Sequence, residues 1–368
     1  MSLISERAPA NVRAIAPYVP GKPIAETARE LGLAEADILK MASNENPLGS
    51  SPRAIAAIHG ALNDLAYYPD GSGYDLKALL SRQLGVTPAN LVLGNGSNDV
   101  LELTARSFLT RDASAVYSRH GFMVYPLATQ AIGANAIEVP TRGYDTDLDA
   151  VLKAIRPDTR IVFVANPNNP TGTFTPWAEL GAFVERVSPG VLVVIDEAYG
   201  EYLPDELKSP AVEWVARFPN VVLSRTLSKA YGLAGLRVGY GVASPEVADL
   251  MNRVRQPFNV NHLALVAAHA ALQDHAFIEK SRANNAAGLV QLSAGFDRLG
   301  LAYIPTRANF ITVRVGDAAA VYAKLLAGGI IVRPVANYGM PEHLRITVGL
   351  PEQNARFLAA LEAALARG

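Results

Sequence analysis

From about residue 90 the chain alternates between short, wholly apolar runs and longer segments whose apolar positions recur at helical spacing. "LVLG" precedes "SNDVLELTARSFL", "AVYS" precedes "FMVYPLATQAIG", "NAIEVP" precedes "DLDAVLKAI" and "IVFVANP" precedes "PWAELGAFVERV". "VLVVIDEAY", "NVVLSRTL" and "RVGYGVA" continue the series. A strand exposed on one face alternates apolar and polar residues, whereas a strand covered by helices on both faces does not. The pattern therefore predicts an α/β fold on a mostly parallel sheet lying between helices. After about residue 257 it changes. Two long helical stretches, roughly 260–273 and 276–299, lead into "NFITVRV", a helix "DAAAVYAKLLAGG", the runs "IIVRPV" and "LRITVG", and a final helix "PEQNARFLAALEAALAR". That order suits a smaller α/β unit. The first forty residues are polar, proline-containing and weakly periodic, which suggests an arm packed on something else.

Size supports the two-part reading. At 368 residues, half of them hydrophobic, the chain exceeds the roughly 250–300 residues at which single cores stop growing. Lys plus Arg (33) nearly cancels Asp plus Glu (34), so neither nucleic acid nor an anionic membrane is indicated and a small-molecule partner is favoured. With no cysteine, disulfides and thiolate chemistry are excluded, in keeping with a reducing cytoplasm. The N-terminus has no apolar core of signal-peptide length, and no run approaches the ~20 apolar residues of a membrane span. The six histidines form neither HExxH nor another close pair with ligand spacing, so no metal site is expected.

Loops at the carboxyl ends of such strands converge on one sheet edge, the usual ligand site of open α/β folds. Those ends read "GNGSND", "NPNNPTG", "DEAYGEY" and "TLSKAYG". The first is a turn before a helix, whose N–H groups near Ser97 and Asn98 suit an anion, though a plain capped turn explains it equally well. It matches neither the P-loop nor the dinucleotide fingerprint. Asp196 ends a hydrophobic strand, where a carboxylate is costly unless paired. Asn169 is presented by a proline- and glycine-shaped turn, and Lys229 lies among Thr226, Ser228 and Arg237. A phosphate cradle (Ser97, Asn98, Thr226, Ser228, Arg237), a buried carboxylate and a desolvated lysine near other cations suit one cofactor above others. Pyridoxal 5'-phosphate combines a phosphate, an aldehyde and a ring nitrogen that pairs with a carboxylate.

"NENPLG", "NPNNPTG", "DEAY" and "TLSKAYGLAGLRVGY", in this order and spacing, resemble the fold-type-I pyridoxal-phosphate aminotransferases, and within them the histidinol-phosphate aminotransferase branch. The resemblance runs from "APYVPGKP" to "LRITVGLPEQNARFL". It implies a large cofactor-binding domain (41–257), a small α/β domain made from both chain ends (1–40 with 258–368), and a homodimer with shared active sites. It also implies roles. Lys229 matches the lysine that bonds the cofactor aldehyde, Asp196 the partner of the pyridine nitrogen, and Tyr199 and Asn169 the groups on its phenolic oxygen. Phe122, in "RHGFMVY", matches the ring stacked on the cofactor; the family often has tyrosine there, which leaves a hydroxyl contact without a donor. Tyr68, in "AYYPDG", matches a tyrosine that reaches the partner subunit's cofactor phosphate, and Tyr18 one in the arm that closes over substrate.

Substrate choice turns on "IIVRPVANYGMPEHLRITVG". A surface ion pair accounts for Arg333 or Arg345 taken singly. "LRITVG" matches the family strand whose arginine clamps the α-carboxylate of glutamate, which singles out Arg345, and a second cation at Arg333 favours a phosphate dianion. The expected reaction is amino transfer from histidinol phosphate to 2-oxoglutarate. The main alternative is an aromatic-amino-acid aminotransferase, which shares every cofactor residue. A second is a decarboxylase of a phosphorylated amino acid on a similar frame, and a third, a non-enzymatic cofactor-binding regulator, is opposed by the intact set Lys229, Asp196, Asn169, Tyr199 and Arg237.

Overall fold

The computed structural model describes residues 3–17 and 21–366. Seven strands form one sheet: β1 (Leu91–Gly94), β2 (Ser114–Ser118), β3 (Asn135–Val139), β4 (Thr159–Ala165), β5 (Leu192–Asp196), β6 (Val221–Thr226) and β7 (Gly239–Ala243). Their order across the sheet is β1-β7-β6-β5-β4-β2-β3. Neighbours from β6 to β3 are parallel, and β7 runs antiparallel to both β6 and β1. Each strand falls on one of the seven apolar runs. The edge strand β3 is the polar exception because it is partly exposed.

Both faces are covered, as uniform apolarity requires. Val193, Ile195, Val221 and Leu223 point to a core that includes Leu180 and Phe183 of helix Trp177–Arg186. Val194 and Val222 point the other way, to Val100, Leu101 and Leu103 of helix Ser97–Phe108 and Met251 of helix Pro245–Val254. Each such fully buried side chain contributes roughly 1.5–3 kcal/mol. Two helices before residue 90, Pro52–Ala61 and Tyr74–Leu84, precede the strand-helix alternation and join the first of these cores through Ala54, Leu76, Leu79 and Leu80. Helix His262–Ala271 buries Ala264, Leu265 and Ala268 in the same cluster, so it packs with the large sheet although it lies beyond residue 257.

A second sheet of four antiparallel strands comprises β8 (Tyr303–Ile304), β9 (Phe310–Arg314), β10 (Arg333–Pro334) and β11 (His343–Thr347), in the order β10-β11-β9-β8. Phe296, Phe357 and Leu361 of helices His275–Arg298 and Pro351–Ala366 fill its core with Ile311, Val313, Leu344 and Ile346. The run "IIVRPV" is two strands instead of one. Ile330–Ile331 pairs in parallel with Leu39–Lys40 from the N-terminal segment, and only Arg333–Pro334 joins β11. Helix Ile24–Leu31 packs beside that junction, with Ala28 against Ile38 and Ile331. Among the described residues no helix is long and apolar enough to cross a membrane.

Gly232 fixes how the chain after β6 meets residues 49–50. Its φ is +70°, a Cβ there would lie 2.0 Å from the Gly49 carbonyl oxygen, and Ser50 Oγ donates to its carbonyl at 2.7 Å. Gly232→Ala should therefore destabilise the protein by at least ~1–3 kcal/mol. Calorimetry would register this as a lower melting temperature, and an unchanged one would contradict the packing described.

Candidate active site

At the carboxyl ends of β1, β4, β5 and β6 a cavity of about 270 Å³ is lined by Ser97, Asn98, Phe122, Asn169, Asp196, Tyr199, Thr226, Ser228, Lys229 and Arg237, with Arg333 and Arg345 from the small sheet. Every sequence-singled residue but two is there. Tyr18 lies outside the described residues. Tyr68 is 82% exposed, stacked on Phe258 at 4.7 Å, and lines a different groove with His262 and His269. Among the described residues no group of three or more His, Asp or Glu side chains could hold a metal ion.

One part of the cavity is a cradle for an anion. After β1 the chain turns at Gly96 (φ +84°) into the twelve-residue helix Ser97–Phe108, whose first N–H groups have no intrahelical acceptor. A Cβ on Gly96 would lie 2.6 Å from Arg237 Nη2, so glycine lets the guanidinium approach this turn. Arg237, itself left-handed (φ +58°), donates from Nη1 to Ala234 O at 3.0 Å and to Ser228 Oγ at 3.4 Å. Thr226 Oγ1 donates to Ser228 Oγ at 3.0 Å. Helix N–H groups, two hydroxyls and a guanidinium are the donors a phosphate requires.

Asp196 is the last residue of β5 and is buried. Its Oδ2 accepts from Tyr125 Oη at 2.9 Å, while its Oδ1, also buried, has no hydrogen-bond partner among the described residues. Burial pushes its carboxyl up to about 6, against the Tyr125 hydrogen bond and the Ala198 amide. Strand alternation turns the next residue, Glu197, to the opposite face, where Arg225 neutralises it at 2.7 Å. Lys229 Nζ donates to Ser43 O at 3.1 Å. Burial, then the Arg345 charge, lower its pKa to about 8, with Arg237 adding to them and Glu45 and Asp196 opposing.

On the small-sheet side, Arg345 is buried and donates from Nη1 to Asn169 Oδ1 at 2.6 Å and from Nη2 to Ala42 O at 2.7 Å. Arg333 is its register partner on β10, so both side chains leave the same face of the sheet. The Tyr199 hydroxyl accepts from Asn44 Nδ2 at 2.8 Å, and burial raises its pKa to about 12. Phe122 meets Tyr125 edge-on at 6.0 Å, and Tyr125 stacks on Phe163 at 4.8 Å.

Sequence reasoning missed Tyr125, Asn44 and Glu45. Asn44 and Glu45 line the cavity; Tyr125 stands behind it and touches Asp196. "NENPLG" carried a resemblance without roles, and nothing local to Tyr125 marks a partner 71 residues away.

The model of the family "Aminotransferase class I and II" matches residues 36–361. "Histidinol-phosphate aminotransferase 1" of Thiobacillus denitrificans is 60% identical over 99% of this chain and 95% of its own length. The histidinol-phosphate aminotransferase of Methylobacillus flagellatus is 58% identical over 98% of each chain. The crystal structure of histidinol-phosphate aminotransferase from Sinorhizobium meliloti in complex with pyridoxal-5'-phosphate superposes with a TM-score of 0.90 at 30% identity, covering 98% of both chains.

The raised pKa of Asp196 has a sign that can be tested. A carboxyl ordinarily near 3.8 but near 6 when folded favours the folded state below the first value and loses that contribution as pH rises through the second. Asp196→Asn lacks this dependence. In the cofactor-free protein the difference in melting temperature, variant minus wild type, should thus move in the variant's favour between about pH 4 and pH 7. A flat or reversed difference would contradict the burial of this carboxylate.

Proposed function

We propose, for a chain that belongs to the aminotransferase class I and II family, that it transfers the amino group of L-histidinol phosphate to 2-oxoglutarate. The products are imidazole acetol phosphate and glutamate, and the reaction is the transamination step of histidine biosynthesis. The observation that carries this reading is the Arg333–Arg345 register pair opening into the cavity that holds Lys229. Two guanidinium groups opening together into one cavity suit a phosphate dianion better than a single carboxylate. The relatives named for this activity, matching over nearly the full length, support it.

Pyridoxal 5'-phosphate fits the donors present. The orphaned Oδ1 of Asp196 requires a hydrogen-bond donor, which a protonated ring nitrogen supplies, and the Ser97–Arg237 cradle requires an anion. When bound, the cofactor supplies a pyridine ring that takes up the negative charge developing at the substrate carbon bearing nitrogen. Asp196 keeps that ring nitrogen protonated. Ser97, Asn98, Thr226, Ser228 and Arg237 hold the phosphate, Phe122 covers the ring, and Tyr199 and Asn169 donate toward the phenolic oxygen. Lys229 would hold the aldehyde carbon through its amine. With the substrate amine in its place, Lys229 Nζ would take the proton from the substrate carbon bearing nitrogen and hand it to the former aldehyde carbon. Burial and the neighbouring guanidinium groups, which push its pKa down to about 8, favour the neutral amine that this requires. Arg345, with Arg333, binds the anionic group of each substrate in turn, so the two half-reactions share one site and the kinetics are ping-pong.

The protein works as a cytoplasmic homodimer in this reading. Leu62, Leu65, Tyr67, Tyr68, Tyr74 and Phe258 are exposed large apolar residues, and Tyr68 would reach the phosphate site of a second copy. The absence of cysteine suits a reducing compartment.

Steady-state kinetics with different donors test the substrate assignment. Arg333→Ala should raise the KM for histidinol phosphate about 10–100-fold, and that for glutamate much less. Arg345→Ala, which also strips Asn169 and Ala42 of their donor, should damage both half-reactions. Equal effects of Arg333→Ala on the two substrates would oppose the assignment, as would a wild-type protein indifferent to histidinol phosphate but fast on phenylalanine. The shared site is tested by mixing: inactive Lys229→Ala and Tyr68→Ala chains, dissociated and reassociated together, should regain part of the activity. No recovery would confine the site to one subunit.

A further inference from the structure

Asn44 is a tightly held side chain in the cavity wall that the reaction above does not use. It is 1% exposed and adopts a left-handed backbone (φ +55°), which a residue other than glycine takes at a cost. All its polar groups are engaged. Its N–H donates to Thr347 Oγ1 at 2.9 Å and its carbonyl accepts from Asn309 Nδ2 at 3.0 Å. Its Oδ1 accepts from Thr347 Oγ1 at 3.2 Å, and its Nδ2 donates to the Tyr199 hydroxyl at 2.8 Å. The direction of the last bond matters. The Thr347 hydroxyl, already accepting from the Asn44 N–H, has its proton to give to Oδ1, which leaves Nδ2 facing Tyr199. An amide nitrogen only donates, so the tyrosine oxygen is the acceptor and its own proton must go elsewhere. Thr347 lies two residues beyond Arg345 on β11, on the same face of that strand.

We propose that Asn44 is a positioning residue for the transamination: by donating to Tyr199 it turns the phenol proton into the cavity, toward the cofactor's phenolic oxygen, and it anchors that orientation to the strand carrying Arg345. The inference rests on the placement of Tyr199 beside the cofactor given above. The other ionisable groups acting on Tyr199 are Arg345, Asp196 and Tyr338, and Lys229 Nζ lies 6.0 Å from its ring centroid. The Asn44 hydrogen bond also lowers the Tyr199 pKa against the effect of burial, which strengthens the phenol as a donor.

The test is the pH titration of the visible absorbance band of the cofactor-loaded protein without substrate. Tyr199→Phe removes the donor beside the phenolic oxygen. The negative charge left there favours protonation of the nitrogen joined to the cofactor, so the midpoint rises. Asn44→Gly suits the left-handed backbone, so folding is preserved while the amide is lost. It should raise the midpoint by roughly half a pH unit, part of the Tyr199→Phe shift, and should add nothing in the Tyr199→Phe background. Thr347→Val, which leaves Asn44 but removes the hydroxyl orienting its amide, should shift the midpoint the same way by less. A wild-type midpoint in Asn44→Gly with only the melting temperature lowered would make the residue merely structural and overturn the proposal, as would a shift that adds fully in the double variant. If Tyr199→Phe itself leaves the midpoint unmoved, the placement of Tyr199 fails first and the inference falls with it.

Discussion

An unbalanced set of charges in one cavity is the constraint on which the rest of this structure depends. Lys229, Arg237, Arg333 and Arg345 share it, among the described residues, with only two carboxylates, Asp196 and Glu45. Arg345 is buried and Lys229 and Arg333 are half-buried, so this excess of cations favours anions that come to meet it. The fold delivers the cations from separate directions. Because β7 runs antiparallel to β6, the chain leaves and re-enters the sheet at the same edge, and the connection of residues 227–238 places Lys229 and Arg237 there together. The small sheet then brings Arg333 and Arg345 in register from the other side. Such a cavity suits a phosphate-bearing cofactor and an anionic substrate.

The sheet also separates charges that the sequence sets side by side. Asp196 and Glu197 are consecutive, yet one faces the cavity with an oxygen lacking a partner and the other is paired with Arg225 on the far face. Breaking that pair by removing Arg225 would leave a buried charge uncompensated. The neighbouring Glu201 shows how strongly this region resists ionisation, since burial raises its pKa to about 7. Asp196 is held at its post by packing and by Tyr125, with no cation at salt-bridge distance among the described residues.

Much of this was legible in the sequence, for identifiable reasons. A strand buried on both faces is apolar throughout, so β4, β5 and β6 announced themselves, and Asp196 and Lys229 stood out as polar residues at or just past the ends of such runs. What stayed hidden depends on partners far along the chain. The split of "IIVRPV" follows from Leu39–Lys40 pairing with Ile330–Ile331 across nearly the whole sequence. Asn44 gains its meaning from Thr347, 303 residues on, and Tyr125 from Asp196. Helix His262–Ala271 packs with the large sheet, which its sequence does not reveal, because alanine-rich periodicity says which face is buried, not against what. Tyr68 matches a family site residue, yet within one chain it lies on the surface.

The central claim is that Lys229, its pKa lowered by burial and by neighbouring cations, is the one lysine that bonds the cofactor. Borohydride reduction of the cofactor-loaded protein, followed by mass mapping of its peptides, tests this most directly. The account predicts loss of the visible band and a single pyridoxyl-bearing peptide, the one containing Lys229. An unlabelled Lys229, or label on Lys40, whose ammonium pairs with cavity-lining Glu45 at 2.8 Å, would contradict it.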